Sequence, residues 1–171
     1  MTNDSRKMRE KSNRSRILTG ILLFLIPTLW LGCTKDTIFE SYQDFPQTGW
    51  HQDDPATFMV TCSDTLQSYN LLFHIRHNVD YKYRNLWVFS DINYPDGTTT
   101  RDTIEFIIGN KEGNWLGKGI GKIKENHILL SQNIRFPRRG VYQFSFSQAM
   151  REKDHLLENI QGVGLSIVKN Q

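Results

Sequence analysis

From Phe58 onward the chain places apolar side chains at every second position, again and again, and this period of two constrains the fold more than any other feature. Tyr142, Phe144 and Phe146 form the clearest triplet; Phe58, Val60 and Cys62, then Leu71, Phe73 and Ile75, Ile104, Phe106 and Ile108, and Val163, Leu165 and Ile167 repeat it. Successive side chains of a strand point to opposite faces, so each triplet marks a strand with one face toward a core and one toward water. In the second triplet Asn70, His74 and Arg76 supply that polar face. Asn85 to Tyr94 is richer, with Leu86, Val88 and Ile92 on one side and Trp87 and Phe89 on the other, as for a central strand or one with an exposed aromatic face. Tyr94-Pro95-Asp96-Gly97 follows as a turn, because proline presets φ and glycine accepts the left-handed conformation; it predicts a hairpin onto Thr98 to Ile108. Ile123 to Leu130 and Asn133 to Phe136 add strand material, and Pro137-Arg138-Arg139-Gly140 forms the turn before the Tyr142 triplet. Ala149 to Asn159 is the one candidate for a short helix, although Met150, Leu156, Leu157 and Ile160 fit a single stripe poorly. About eight short strands with turns between them predict an all-β, antiparallel, jelly-roll-like sandwich over residues 56–171.

The N-terminal third has a different character. Arg6, Lys7, Arg9, Lys11, Arg14 and Arg16 precede an uncharged, mainly apolar run from Ile17 to Leu31, which ends in Gly32 and Cys33. As a helix, this run would extend about 22 Å at roughly 1.5 Å per residue, short of the roughly 30 Å hydrocarbon layer. Its length and flanks suit a secretory signal segment. The small residue followed by cysteine predicts a lipoprotein signal over residues 1–32, cleavage after Gly32 and lipidation of Cys33. Trp30 stands where the commonest form of such a site has leucine. Residues 33–55 then supply the lipidated cysteine and a polar tether, with Ile38 to Tyr42 as a first strand or an extended approach to the body.

Removal of the signal changes the charge. The whole sequence has 21 basic and 18 acidic residues, of which six and two precede Thr34, so the remainder carries 15 against 16, a net −1. A nucleic-acid partner would call for a basic body, and none remains. Cys33 and Cys62 are the two cysteines. Lipidation of the first leaves the second unpaired, expected as a buried, apolar-like thiol beside Phe58 and Val60.

No residue pattern announces a reaction. His74 and His77 would be neighbours on a helix but face opposite sides of a strand, so a shared metal is not expected. Gly113 to Lys122 is glycine-rich, yet no glycine lies five positions before a Gly-Lys pair and neither Lys118 nor Lys122 precedes Ser or Thr, so it reads as a bent connection in a sheet. The Asp53-Asp54 pair falls short of the oxygen ligands calcium requires. Asp91, Asp102 and Glu105 are acids on separate stretches that strand pairing can bring together as a glycosidase pair demands, with nothing to single them out. The expectation is a non-enzyme without cofactor or metal. Trp50, Trp87 and Trp115, with Tyr81 and Tyr83, offer aromatic area for an interaction surface, and if coplanar and exposed they would suit a glycan.

The order of the short motifs is itself informative. Tyr42-Gln43-Asp44-Phe45-Pro46 with Gly49-Trp50, Asp64-Thr65, Tyr69-Asn70-Leu71, Ile75-Arg76, Asn85-Leu86, Pro95-Asp96-Gly97-Thr98 and Asp102-Thr103 come first. Trp115-Leu116-Gly117-Lys118-Gly119, Arg135-Phe136-Pro137 and Gln148-Ala149-Met150-Arg151 complete the series. In this order the chain resembles the gliding motility lipoprotein GldH family of Bacteroidota, from the lipidation site nearly to the end. The resemblance implies a small, non-catalytic envelope lipoprotein that serves the gliding machinery and the type IX secretion apparatus linked to it. Its partners would be other envelope proteins of that machinery and, through the lipid on Cys33, a membrane. The expected location is the outer membrane, facing the periplasm.

Overall fold

A computed structural model describes residues 36–170. The expected signal segment, the cleavage site at Gly32 and the lipidation site at Cys33 lie outside them. Ten strands run in order: β1 (Thr37–Asp44), β2 (Trp50–His51), β3 (Ala56–Cys62), β4 (Tyr69–Asn78), β5 (Asn85–Asn93), β6 (Thr99–Ile107), β7 (Ile123–Ile134), β8 (Gly140–Gln148), β9 (Leu156–Leu157) and β10 (Ile160–Lys169).

The eight long strands form two four-stranded antiparallel sheets, β1-β10-β4-β7 and β3-β8-β5-β6. Counting only the long strands, the two orders become 1-8-3-6 and 2-7-4-5, the interleaved double Greek key of a jelly roll. The two short strands, β2 and β9, form a separate ribbon. The fold is thus the all-β sandwich that the period of two predicts.

The inward face of each strand is the apolar face of its triplet. Phe58, Val60, Leu71, Phe73, Ile75, Phe106, Ile108, Tyr142, Phe144, Phe146, Val163, Leu165 and Ile167 are all buried. Phe73 lies between the sheets, stacked on Phe106 with ring centroids 4.8 Å apart and tilted against Phe146 at 4.6 Å. Each such side chain contributes about 1.5–3 kcal/mol by leaving water. Cys62 is free and buried in the same layer, its thiol donating to the Asp64 carbonyl oxygen at 3.3 Å. The β5–β6 hairpin closes at the expected turn, where Gly97 N–H donates to the Tyr94 carbonyl at 2.9 Å and Gly97 takes φ +83°.

β1 pairs along its length with β10, so Ile38 to Tyr42 belong to a first strand, one of the two readings open in the sequence, and strand pairing begins at Thr37, ahead of residue 56. The structure differs from the sequence reading in one element. The segment Ala149–Asn159 forms no helix of several turns. It holds one 3₁₀ turn, Lys153–His155, then β9. Asp154, His155 and Asn159 take positive φ. Leu157 is drawn into the core by pairing with Trp50 in the β2–β9 ribbon, and a buried pairing of this kind outweighs weak local helix propensity.

Candidate functional site

Trp50 is fully buried, stacked on Phe45 at 4.7 Å, and its Nε1–H donates to the Asp54 carbonyl at 2.8 Å. It is a core residue, and the expectation that it belongs to a surface is corrected: the ribbon with β9 folds it inward. Trp115 is half-buried, edge-on to His77 at 4.5 Å, in an aromatic cluster completed by Tyr81 and Tyr83. Trp87 is 38% exposed. A platform of three coplanar tryptophans does not form. Trp87 instead stands on the outer face of the β3-β8-β5-β6 sheet, beside Phe89 and Met150 at a cavity of about 530 Å³.

The candidate acids do not converge. Trp87 pairs with Glu105 and Asp91 with Arg101, so those two acids share the outer face four residues apart, roughly 13 Å at about 3.3 Å per residue. Asp102 pairs with Ser90 on the opposite face. Asp91 is held by Arg101 through two hydrogen bonds, 2.6 and 2.8 Å, and the guanidinium's hydrogen bonding keeps its carboxyl below the usual range. The glycine-rich stretch is a bent connection from β6 to β7, tied by bridges Gly109–Trp115 and Lys118–Glu125.

The densest polar constellation lies on the outer face of the other sheet. It is built on two glycines of β10. Gly164 pairs with Tyr42 of β1 on one side and His74 of β4 on the other; Gly162 likewise sits between Asp44 and Arg76. A Cβ on Gly164 would lie 2.6 Å from the Tyr42 ring, and one on Gly162 would lie 2.8 Å from Asp44 Oδ1. The missing side chains let residues of β1 reach across β10. Tyr42 stacks on His74 at 5.2 Å, and Arg76 donates to Asp44 at 3.0 Å while its guanidinium carbon stands 5.6 Å from the Tyr42 ring centre.

β7 closes the far side. His127 pairs directly with His74, their rings edge-on at 4.6 Å, and Glu125, two residues earlier, shares the same face. His74 is 3% exposed. Its Nε2 hydrogen-bonds Ser166 Oγ, and its Nδ1 has no partner. Burial, then the neighbouring His127, pulls its pKa below the ordinary imidazole value. Burial also pushes the Tyr42 phenol up to about 12, helped by the charges of Glu125 and Glu40. One nitrogen from each histidine and a Glu125 oxygen all lie within 4.8 Å of one another, a three-donor group able to hold a metal ion. His77, by contrast, faces the core side of β4, so the two histidines close in sequence stay apart.

Comparison with known proteins decides the family. The GldH lipoprotein family pattern matches residues 37–167, from the first residue of β1 into β10. This chain belongs to the GldH lipoprotein family. Among GldH relatives, the "gliding motility lipoprotein GldH homolog" of Christiangramia forsetii is 33% identical over 162 residues, covering 92% of this chain and 98% of its own. The "gliding motility lipoprotein GldH" of Flavobacterium johnsoniae is 32% identical over 165 residues, covering 94% and 98%. The GldH match takes in both faces of the sandwich, so β1 with Tyr42 and Asp44 is part of the family's domain.

Proposed function

We propose that the protein is a lipid-anchored envelope component that serves the gliding motility machinery, and the type IX secretion apparatus linked to it, through protein contacts and without catalysis of its own. The observation that carries this reading is GldH family membership across the whole sandwich, together with relatives that bear the gliding name. The sequence supports the anchor: a basic n-region, a short apolar run and Gly32-Cys33. In this proposal the domain hangs from the outer membrane through Cys33 and faces the periplasm.

Trp87 is the contact residue we assign to this role. Interface cores are enriched in tryptophan, and Trp87 is the most accessible of the three singled out by sequence. The glycan-binding alternative asks for three of the rings Trp50, Trp87, Trp115, Tyr81 and Tyr83 to be coplanar and exposed; Trp50 and Tyr81 are buried, Trp115 and Tyr83 are half-buried and Trp87 is exposed, which favours the protein-contact reading.

Deletion of the gene tests the reading, with colony spreading and type IX export as readouts. Loss of either, restored by the wild-type gene and only weakly by Trp87→Ala, is expected. Unchanged motility and unchanged export would sink the proposal. Protease treatment of intact cells tests the orientation: the domain should survive until the outer membrane is permeabilised, and rapid loss beforehand would place it on the cell surface.

A further inference from the structure

We propose that His74, Glu125 and His127 form a binding site for a divalent transition metal of the zinc class on the outer face of the β1-β10-β4-β7 sheet. Two imidazoles and one carboxylate are a donor set that suits zinc, with one position left open for water or an incoming ligand. The topology builds it. Glu125 and His127 stand two apart on β7 and therefore share a face, and the register sets His127 directly across from His74. Their donor atoms already lie within 4.8 Å of one another.

The buried histidine carries the argument furthest. His74 is 3% exposed, and its Nδ1 is one of three buried side-chain polar atoms among the described residues that lack a partner. A buried polar atom left without a partner is destabilising, so Nδ1 gains by acquiring one. Ser166 occupies Nε2, so Nδ1 is the nitrogen left to bind. When Nε2–H donates to Ser166 Oγ, Nδ1 presents a bare lone pair, and the hydroxyl acts as the outer partner that fixes the ring of a metal-bound histidine. Tyr42 covers the other side of the same ring and holds it in place.

The surroundings favour a cation. Arg76 stands directly across from Glu125 in the register, and its guanidinium is paired with Asp44 at 3.0 Å. Glu125 and Glu40 remain to supply negative charge, and both act on Tyr42 and His74. Donors on a tetrahedral zinc sit roughly 3.3 Å apart, given bonds of about 2.0–2.2 Å. The His127 side chain is exposed and that of Glu125 half-buried, 56% and 29% accessible, so a metal could reach the group from solvent.

The test uses the full-length protein in detergent, stripped with chelator and titrated with zinc chloride by calorimetry at about pH 7.5, where free imidazoles are neutral. One equivalent of zinc should bind, and cobalt(II) in its place should give the visible absorption of a tetrahedral site. His127→Ala alters an exposed side chain and Glu125→Gln keeps the shape of a half-buried one, so both should leave metal-free melting nearly unchanged while weakening zinc binding about tenfold or more. The zinc-dependent rise in melting temperature should vanish with them. The His51→Ala/His155→Ala double variant controls for the other pair of neighbouring histidines, 6.4 Å apart, and should bind as the wild type does. No saturable binding, or binding lost in that control but kept in both His127→Ala and Glu125→Gln, overturns the site.

Discussion

Single residues separate into those whose environment can be read from a strand period and those whose environment depends on a distant partner. Trp50 and Trp87 look alike in the sequence, as large aromatics near turns or within a strand. Folding places Trp50 entirely in the core, stacked on Phe45, and leaves Trp87 38% exposed. Trp50→Ala should therefore cost about 3–5 kcal/mol, the usual range for an aromatic removed from a core. Trp87→Ala should cost distinctly less, because the ring already meets water on one side. Urea denaturation of both variants measures the difference, and equal losses would contradict the burial described here. Histidine gives a second prediction at this scale. Burial lowers the pKa of His77 in the folded state below its ordinary 6.5, with Lys124 adding to the effect and a hydrogen bond to the Asn78 carbonyl opposing it. Above 6.5 the residue is neutral in both states and pH-indifferent; below, the unfolded chain takes up the proton more readily, so stability falls as pH drops from 6.5 toward the folded pKa. Asp64 and Asp91 are held below 3.8, by backbone hydrogen bonds and by Arg101 respectively, and lose their contribution only as pH falls below that value. Denaturation midpoints between about pH 7 and pH 5 should thus decline with a slope that His77→Gln reduces. An unchanged slope would show that His77 does not titrate in this window.

At the scale of elements, the faces of the strands were legible and their partners were not. Alternation names which side of a strand is buried, and Phe58-Val60-Cys62 and Tyr142-Phe144-Phe146 are inward as their spacing requires. Alternation is silent about neighbours, and in a jelly roll several neighbours are far apart along the chain: β1 joins β10, β3 joins β8, and β4 joins β7. The site formed by Tyr42, His74, Glu125 and His127 exists only through those pairings. Its one sequence trace is Gly162-Val163-Gly164, two glycines on the outer face of a strand whose inner positions are apolar, a pattern that marks close approach by another group. The missing helix at 149–159 has the reverse cause, since Leu156 and Leu157 take their place from Trp50 and His51 across the ribbon rather than from local preference. Gly164→Val tests the close approach. The added side chain meets the Tyr42 ring, expels it from His74 and should destabilise the domain by about 1–3 kcal/mol, a common cost of overpacking. Val141→Ala, at an exposed position of the other sheet, is the control and should be near neutral. Equal stability of Gly164→Val and the wild type would mean that Tyr42 is not held where it stacks.

For the whole molecule, the question is what fixes the domain in the envelope. Among the described residues, 36–170, the buried core of the sandwich runs from Phe45 to Ile167. In the proposed role anchorage falls to the lipid on Cys33 and folding to the strands, and the two should be separable. Two acyl chains suffice for stable membrane attachment, at about 0.8 kcal/mol per buried CH₂, whereas a net charge of −1 offers no electrostatic hold on anionic lipid. Cys33→Ser would remove the proposed acceptor of the lipid at a position that precedes the first strand. The variant should lose its place in the outer-membrane fraction, and its resistance to proteolysis after extraction should match that of the wild type. Gliding or secretion should fail with it, since in the proposed role contact with envelope partners depends on tethering. If the variant remained anchored as a mature protein, the apolar run would be acting as the membrane segment and the lipoprotein reading would fall. If it were released while motility and export persisted, the tether would be dispensable and the machinery would be recruiting the sandwich through its own surface, with Trp87 the first position to substitute.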